Sequence, residues 1–200
     1  EENFNGYFGA NGAFTPTTEQ ARYGITATGF GYRWHELDAR FDVNATPNEP
    51  NRHGWVVEID PFRPTSMPKK LTALGRFKHE SAAVVVTKDG RPVVYSGDDE
   101  RNNYVYKFVG KYSYKTALRM GRSPLEEGKL FVAKFNDGPT TADKQGTGEW
   151  VELTPSHPAL FGKSIDWILV NTRLAADLVG ATKMDRPEWI TATHGGQVYC

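Results

Sequence analysis

Short segments of β-forming residues, separated by turn-forming residues, limit the fold of this chain more than any other feature. The clearest two are residues 82–87 and 92–96, joined by Lys88-Asp89-Gly90-Arg91, in which Asp-Gly supplies the positive φ angle of a tight hairpin turn. Further strands are predicted at residues 55–60, 70–77, 104–109, 130–135, 149–153, 189–192 and 197–199. Short strands at such intervals predict an all-β fold, as a sandwich, a barrel or a propeller.

Two segments add detail to this prediction. The apolar run 82–86 predicts a strand that is covered on both faces, as stacked propeller blades would cover it. In contrast, Leu174, Ala175 and Leu178 recur at helical spacing. Gly180 fits the end of a helix, so a short helix is expected near residues 171–180. Residues 44–51 and 138–148 are expected to be loops, and residues 111–127 a long insertion.

Charge balance and the lack of long apolar runs exclude two classes of partner. The chain has 24 Lys and Arg residues and 24 Asp and Glu residues, without a block of one sign, so no basic face for nucleic acid is expected. No apolar run reaches the roughly 18 to 20 residues that cross a bilayer. The single cysteine, Cys200, can form neither a disulfide within the chain nor a cysteine metal cluster by itself. The 200 residues suit one globular domain.

The tetrapeptide Asp185-Arg186-Pro187-Glu188 follows the predicted helix and carries the most chemistry. Proline disfavours helical geometry in the residue before it, so an extended backbone is expected here, with Arg186 and Glu188 on one side and Trp189 packed in apolar surroundings on the other. A guanidinium is a rigid fork of donors that suits phosphate, and a neighbouring carboxylate can hold a hard metal ion. An anion site and a structural loop after a helix are both compatible with these residues.

Other acidic positions also leave two interpretations open. Glu80 begins the apolar strand, where it would bind a cation or pair with Arg76 or Lys78. The segment 97–101, Gly-Asp-Asp-Glu-Arg, would hold Ca²⁺ or form a solvated turn, and the acidic start of the chain at Glu2 is equally ambiguous.

Common catalytic motifs are missing from the sequence. There is no Gly-rich phosphate loop and no Gly-x-Ser-x-Gly elbow. No two histidines have the spacing of a zinc site. The histidines are His35, His53, His79, His157 and His194.

Several longer motifs together resemble the PhoX-type alkaline phosphatases. They are Arg52-His53-Gly54-Trp55-Val56-Val57-Glu58-Ile59-Asp60-Pro61, Leu74-Gly75-Arg76-Phe77-Lys78-His79-Glu80, Gly97-Asp98-Asp99-Glu100-Arg101, and the stretch from Asn171-Thr172-Arg173 to Asp185-Arg186-Pro187-Glu188. The resemblance extends over nearly all of the chain. It implies a six-bladed β-propeller with iron and calcium on its axis, which hydrolyses phosphate monoesters.

The resemblance also implies roles for individual residues and a location. Glu80 and Glu188 match iron-ligating carboxylates, Arg186 matches the residue that holds the phosphate, and Glu2 matches a calcium ligand. The expected partners are small phosphate monoesters and the expected state is a monomer. The family implies export by the twin-arginine route, so a periplasmic or secreted protein is expected.

Finally, the resemblance implies that residues 1–200 are the central portion of one propeller domain, incomplete at both ends. The iron-ligating cysteine of the family lies upstream of this segment and Cys200 does not match it, so we expect the isolated chain to be inactive. Two alternatives are a non-catalytic propeller that serves as a binding module and a calcium-dependent propeller that hydrolyses lactones or other esters.

Overall fold

The computed structural model describes residues 1–140, 143, 145–193 and 196–200. In these residues the strands are β1 (Val57–Glu58), β2 (Lys69–Lys70), β3 (His79–Val86), β4 (Pro92–Asp98), β5 (Arg101–Asn103), β6 (Val105–Gly110), β7 (Gly128–Asp137), β8 (Gly146–Glu152), β9 (Met184–Asp185), β10 (Thr191–Ala192) and β11 (Val198–Tyr199). The α-helices are α1 (Thr18–Arg22), α2 (Tyr114–Arg119), α3 (Ile165–Val170) and α4 (Thr172–Leu178). The fold is mostly β-sheet with few helices.

A five-stranded antiparallel sheet forms the centre of the molecule, in the order β3-β4-β6-β7-β8. Three two-stranded antiparallel sheets accompany it, β1-β2, β5-β9 and β10-β11. Among the described residues no sheet closes into a barrel. The small β5-β9 sheet matters for function because it joins the turn after β4 to the segment that contains Arg186.

The sequence predicts the central hairpin and the helix correctly. Val86 pairs with Pro92, and Gly90 in the turn between them has a φ angle of 81°. Helix α4 falls within residues 171–180, and Gly180 follows it with a φ angle of 69°. In the predicted insertion 111–127, Ser113 caps α2 by accepting a hydrogen bond from the amide of Thr116.

Other parts of the prediction are wrong. Strand β3 is an edge strand, and Ala82, Val84 and Val86 are exposed, so it is not covered on both faces in this structure. The predicted strand 55–60 shortens to two residues, and of the predicted strand 70–77 only Lys70 lies in a strand, while Thr72–Leu74 form a 3-10 turn. In the predicted loop 138–148, residues 141, 142 and 144 lie outside the described part.

Two of the three apolar clusters among the described residues contain most of the core; the third contains only Val105, Ala133 and Ile190. The larger lies between the central sheet, α3 and α4; its members include Leu71, Phe77, Tyr106, Phe108, Leu160, Ile168 and Ala176, all at most 2% exposed. The smaller lies in the first fifty residues, whose regular elements are 3-10 turns and α1; it contains Phe4, Phe8, Ala10, Tyr23, Ile25 and Val43. No helix in the described residues is long and apolar enough to span a membrane.

Candidate active site

Three carboxylates from distant parts of the chain meet at one end of the central sheet. Glu2, Glu80 and Asp99 each offer an oxygen, and these oxygens all lie within 4.8 Å of one another. The pairing of β3 with β4 explains part of this arrangement, because Glu80 lies opposite Gly97, two residues before Asp99. All three side chains are partly buried. We refer to them as the carboxylate cluster.

A bulge in β3 next to Glu80 sets the direction of this part of the strand. Ser81 has a φ angle of 66°, and the register of the β3-β4 pair shifts between Glu80 and Ala83. The hydroxyl of Ser81 accepts a hydrogen bond from the amide of Ile190 at 3.2 Å, and its carbonyl accepts one from Ser96 Oγ at 2.8 Å. These bonds hold the bulge and tie it to the segment after Glu188. Such bulges commonly redirect side chains at functional sites.

One of the two interpretations of Glu80 predicts an ion pair with Arg76 or Lys78, but both of these side chains bind other groups. The Arg76 guanidinium donates to the carbonyls of His53, at 2.8 Å, and Pro50, at 2.9 Å. Lys78 donates to Glu100 at 3.0 Å. The pairing of Glu80 with Arg76 or Lys78 is therefore wrong.

The pKa of Glu80 reports the crowding of negative charge in the carboxylate cluster. Burial raises this pKa, and the neighbouring charge of Glu2 raises it further. A hydrogen bond from the side chain of Trp189 acts in the opposite direction without cancelling the rise. Such a group is satisfied either by a proton or by a cation, so the cluster is suited to a hard metal ion with oxygen ligands.

An ion-pair network fixes the turn that presents Asp99. The guanidinium of Arg173 pairs with Asp98 through two nitrogens, and its Nη1 lies 2.6 Å from Glu100 Oε2. The side chains of Arg173 and Asp98 are completely buried. Burial by itself would lower the pKa of Arg173, but Asp98 and Glu100 outweigh it and raise that pKa. Segment 97–101 is therefore not a solvated turn.

Arg186 donates a two-pronged hydrogen bond to Asp99. Its Nε lies 3.0 Å from Asp99 Oδ1 and its Nη2 lies 2.9 Å from Oδ2. This hydrogen bond and the charge of Asp99 raise the pKa of Arg186, so the group stays cationic. The Arg186 side chain remains 57% exposed, and its Nη1 has no partner among the described residues. Asp99 therefore orients the fork and leaves donors for a further anion.

The backbone around Arg186 differs from the sequence prediction. Arg186 has a φ angle of 58° rather than an extended conformation. Strand β9 brings the chain to β5, and the carbonyl of Pro187 then lies against Gly97, where any Cβ atom would overlap it. We attribute the left-handed conformation to this packing and to the Asp99 pair, which together override the local preference set by proline.

Glu188 lies outside the carboxylate cluster, and Trp189 departs from its expected surroundings. Glu188 is exposed and is not part of the carboxylate cluster, although its charge adds to the raised pKa of Arg186. Trp189 is 73% exposed, so the prediction of apolar packing is wrong. Its side chain instead acts on Glu80, whose pKa it lowers.

The structure identifies one residue that the sequence did not single out as a ligand. Asp99 belongs to segment 97–101, in which nothing local distinguishes it from Asp98 or Glu100. The predicted hairpin was a usable signal, because its register places residue 97 beside Glu80.

The four histidines among the described residues take no part in the carboxylate cluster. Burial lowers the pKa of His79 to about 3, and its ring nitrogens lie 2.9 Å from Ser96 Oγ and from the carbonyl of Gly75. We therefore assign it a structural role as a neutral ring. His194 lies outside the described residues.

An open cleft of about 780 Å³ lies beside Arg186 and the carboxylate cluster. Its lining includes Glu2, Asp99 and Arg186 together with Lys78 and Phe30. The volume falls in the range of roughly 300 to 1,000 Å³ that is typical of small-molecule sites. The cleft thus combines candidate metal ligands with a cationic fork, which suits an anionic ligand.

Comparisons with known proteins agree on one family. The family model described as "Alkaline phosphatase PhoX" matches residues 1–200. A solved structure of Pseudomonas fluorescens PhoX, in complex with vanadate, a transition state analogue, is 47% identical to this chain and superposes with a TM-score of 0.90. The match covers 100% of this chain and 36% of that protein, so this chain spans about a third of its length. No curated protein matches the sequence.

Proposed function

Because the chain belongs to the PhoX alkaline phosphatase family, we propose that the protein it forms part of hydrolyses phosphate monoesters in the cleft described above. One observation carries this proposal: the fork of Arg186 is held by Asp99, and Asp99 also belongs to the carboxylate cluster. A phosphate monoester needs both a positioned cationic donor and neutralisation of its own charge. The neighbouring groups can supply both.

Arg186 holds the phosphate in this proposal. Its exposed Nη1 donates to non-bridging oxygens while Asp99 keeps the plane of the guanidinium fixed. The buried ion pair of Arg173 with Asp98 stabilises this geometry, because it fixes the backbone next to Asp99. The substrate therefore meets a donor that needs little reorganisation.

Iron and calcium are the proposed cofactors. Glu80 and Glu188 would hold iron and Glu2 would hold calcium, with Asp99 as a further carboxylate beside them. Metal ions bound there would supply charge neutralisation and a stronger oxygen nucleophile. The oxygen-only donor set and the raised pKa of Glu80 support a hard cation at this place.

The longer protein is proposed to be a six-bladed β-propeller of which residues 1–200 are the central part. The exposed apolar side chains on one face of β3 support this, because a neighbouring blade would cover that face. Since the chain spans 36% of the P. fluorescens protein, the isolated chain is proposed to lack part of the site and to be inactive. Export by the twin-arginine route, action as a monomer and absence of nucleic-acid or membrane partners complete the proposal.

The test is hydrolysis of p-nitrophenyl phosphate by the full-length protein, combined with metal analysis. The wild type should turn over substrate and contain iron and calcium. The variant Arg186→Ala should lose roughly a hundredfold in rate or more, as expected for loss of one charge-stabilising donor. The matched control is Arg63→Ala, because Arg63 is also exposed and also pairs with an aspartate, Asp60, at 2.7 Å. Equal activity of the two variants would refute the role of Arg186.

A further inference from the structure

Four exposed aromatic side chains stack against one another, and one of them lines the cleft. The rings of Tyr7 and Trp34 are nearly parallel, at 5° and 4.8 Å between centroids. Tyr7 also stacks on Tyr32 at 5.7 Å, and Tyr32 meets Phe30 edge to face at 6.2 Å. We call these residues, Tyr7, Phe30, Tyr32 and Trp34, the aromatic platform.

The platform exposes much more apolar ring surface than core packing requires. Tyr7 is 38% exposed, Phe30 51%, Tyr32 52% and Trp34 43%. Contiguous exposed apolar surface next to a polar cleft is typical of a ligand-binding region. Ring faces left open in this way favour a second flat ring.

Phe30 connects the platform to the cleft. It lines the same cavity as Asp99 and Arg186. Its ring lies so close to Gly6 that any Cβ atom at position 6 would overlap it, and its amide donates to the Gly6 carbonyl at 3.0 Å. Glycine at position 6 therefore lets the ring rest on the backbone in a fixed orientation. A ring held on one face and half-exposed overall is a preorganised surface for stacking.

We propose that the aromatic platform, through Phe30, binds the planar aromatic group of a phosphate monoester whose phosphate is held by Arg186. The proposal rests on the proposed function and gives Phe30 a role in selecting among monoesters, in favour of those whose leaving group carries a planar ring, as nucleoside monophosphates do. The cavity of about 780 Å³ accommodates both parts of such a molecule. A neutral flat base also avoids repulsion by the acidic lining, whereas a carboxylated leaving group would meet Glu2 and Asp99.

The experiment compares two substrates of the full-length protein, adenosine 5′-monophosphate and glycerol 3-phosphate. In Phe30→Ala, kcat/KM for the nucleotide should fall by about tenfold, the scale of losing one stacking ring. Glycerol 3-phosphate has no ring, so its kcat/KM should change by less than about twofold. Phe30→Trp retains a flat ring and should retain the preference for the nucleotide. Phe161→Ala removes an exposed phenylalanine outside the cleft and is the matched control.

Equal losses for both substrates in Phe30→Ala would overturn the proposal, because they would indicate a structural role. An unchanged preference for the nucleotide would also overturn it, and would fit a platform covered by another part of the longer protein. Calorimetric binding of adenosine 5′-monophosphate and inorganic phosphate separates this proposal from the proposed function, since it needs no turnover. Weaker nucleotide binding with unchanged phosphate binding in Phe30→Ala supports the platform even without hydrolysis; unchanged nucleotide binding refutes it.

Discussion

Replacing Asp99 by Asn tests whether Asp99 acts through Arg186. Asp99 accepts hydrogen bonds from Nε and Nη2 of Arg186 at 3.0 and 2.9 Å. In Asp99→Asn one oxygen becomes an NH₂ group, which faces an N–H donor and cannot accept it. The fork then keeps one anchor and can rotate away from the position in which it meets the phosphate.

The expected fall in kcat/KM of Asp99→Asn follows from the loss of one of the two hydrogen bonds that orient Arg186. A misaligned charge-stabilising donor costs roughly a hundredfold in kcat/KM, and Arg186→Ala should cost at least as much. If the two residues act as one unit, the double variant should be no slower than Arg186→Ala alone. Independent residues would instead multiply to roughly a ten-thousandfold loss.

The assay is steady-state hydrolysis of p-nitrophenyl phosphate by the full-length protein, with a thermal melt of each metal-free variant. The melting temperature of Asp99→Asn should be unchanged or higher, because Arg186 is largely exposed and the substitution relieves repulsion in the carboxylate cluster. Asp185→Asn is the control, because Asp185 is exposed and its Oδ1 lies 3.6 Å from Nε of Arg101. Multiplicative effects of Asp99→Asn and Arg186→Ala would refute the reasoning.

Three further substitutions test the supporting structure. Arg173→Met leaves Asp98 buried without its cation and should lower the free energy of unfolding by about 3 to 5 kcal/mol in urea titrations; a loss below about 1 kcal/mol contradicts this. Gly97→Ala displaces the Pro187 segment and should reduce phosphatase activity, whereas wild-type activity would show that the loop adapts. In Asp177→Asn, loss of the hydrogen bonds from Arg22 and Tyr104 should cost about 1 to 2 kcal/mol at neutral pH. These bonds outweigh burial and lower the pKa of Asp177 below 3.8. The stability that Asp177 contributes is therefore complete above pH 3.8 and is lost as the pH falls through the lowered pKa. A stability difference between wild type and Asp177→Asn that stays constant down to acid pH would argue against this role.

Local sequence signals were sufficient to predict the secondary-structure elements that depend mainly on residues adjacent in the sequence. The hairpin around Gly90 follows from Asp-Gly between two β-forming runs, and α4 follows from helical spacing ending before Gly180. By contrast, burial of β3 depends on which strand lies beside it, which its own residues do not encode. The same limit applies to the first fifty residues, where the sequence predicts no regular element and packing around Phe4 and Tyr23 accompanies 3-10 turns and a short helix.

The candidate site was only partly predictable for the same physical reason. Asp99 and Arg186 are 87 residues apart, so no local pattern joins them. The preference that Pro187 imposes on Arg186 was a sound local rule, yet contacts with Gly97 and Asp99 outweigh it. Roles inferred from the family resemblance pointed to Glu2 and Glu80, which the structure brings together, and to Glu188, which it leaves exposed beside Arg186.

Anomalous X-ray diffraction from crystals of the full-length protein, recorded at the iron absorption edge, tests the proposed metal site most directly. The account predicts an iron peak within bonding distance of Glu80, with Arg186 facing the same cleft. Calcium, whose anomalous signal does not change across the iron edge, should appear as electron density next to Glu2 without such a step. An iron peak elsewhere, or an occupied active site in which Glu80 contacts only a proton shared with Glu2, would contradict it.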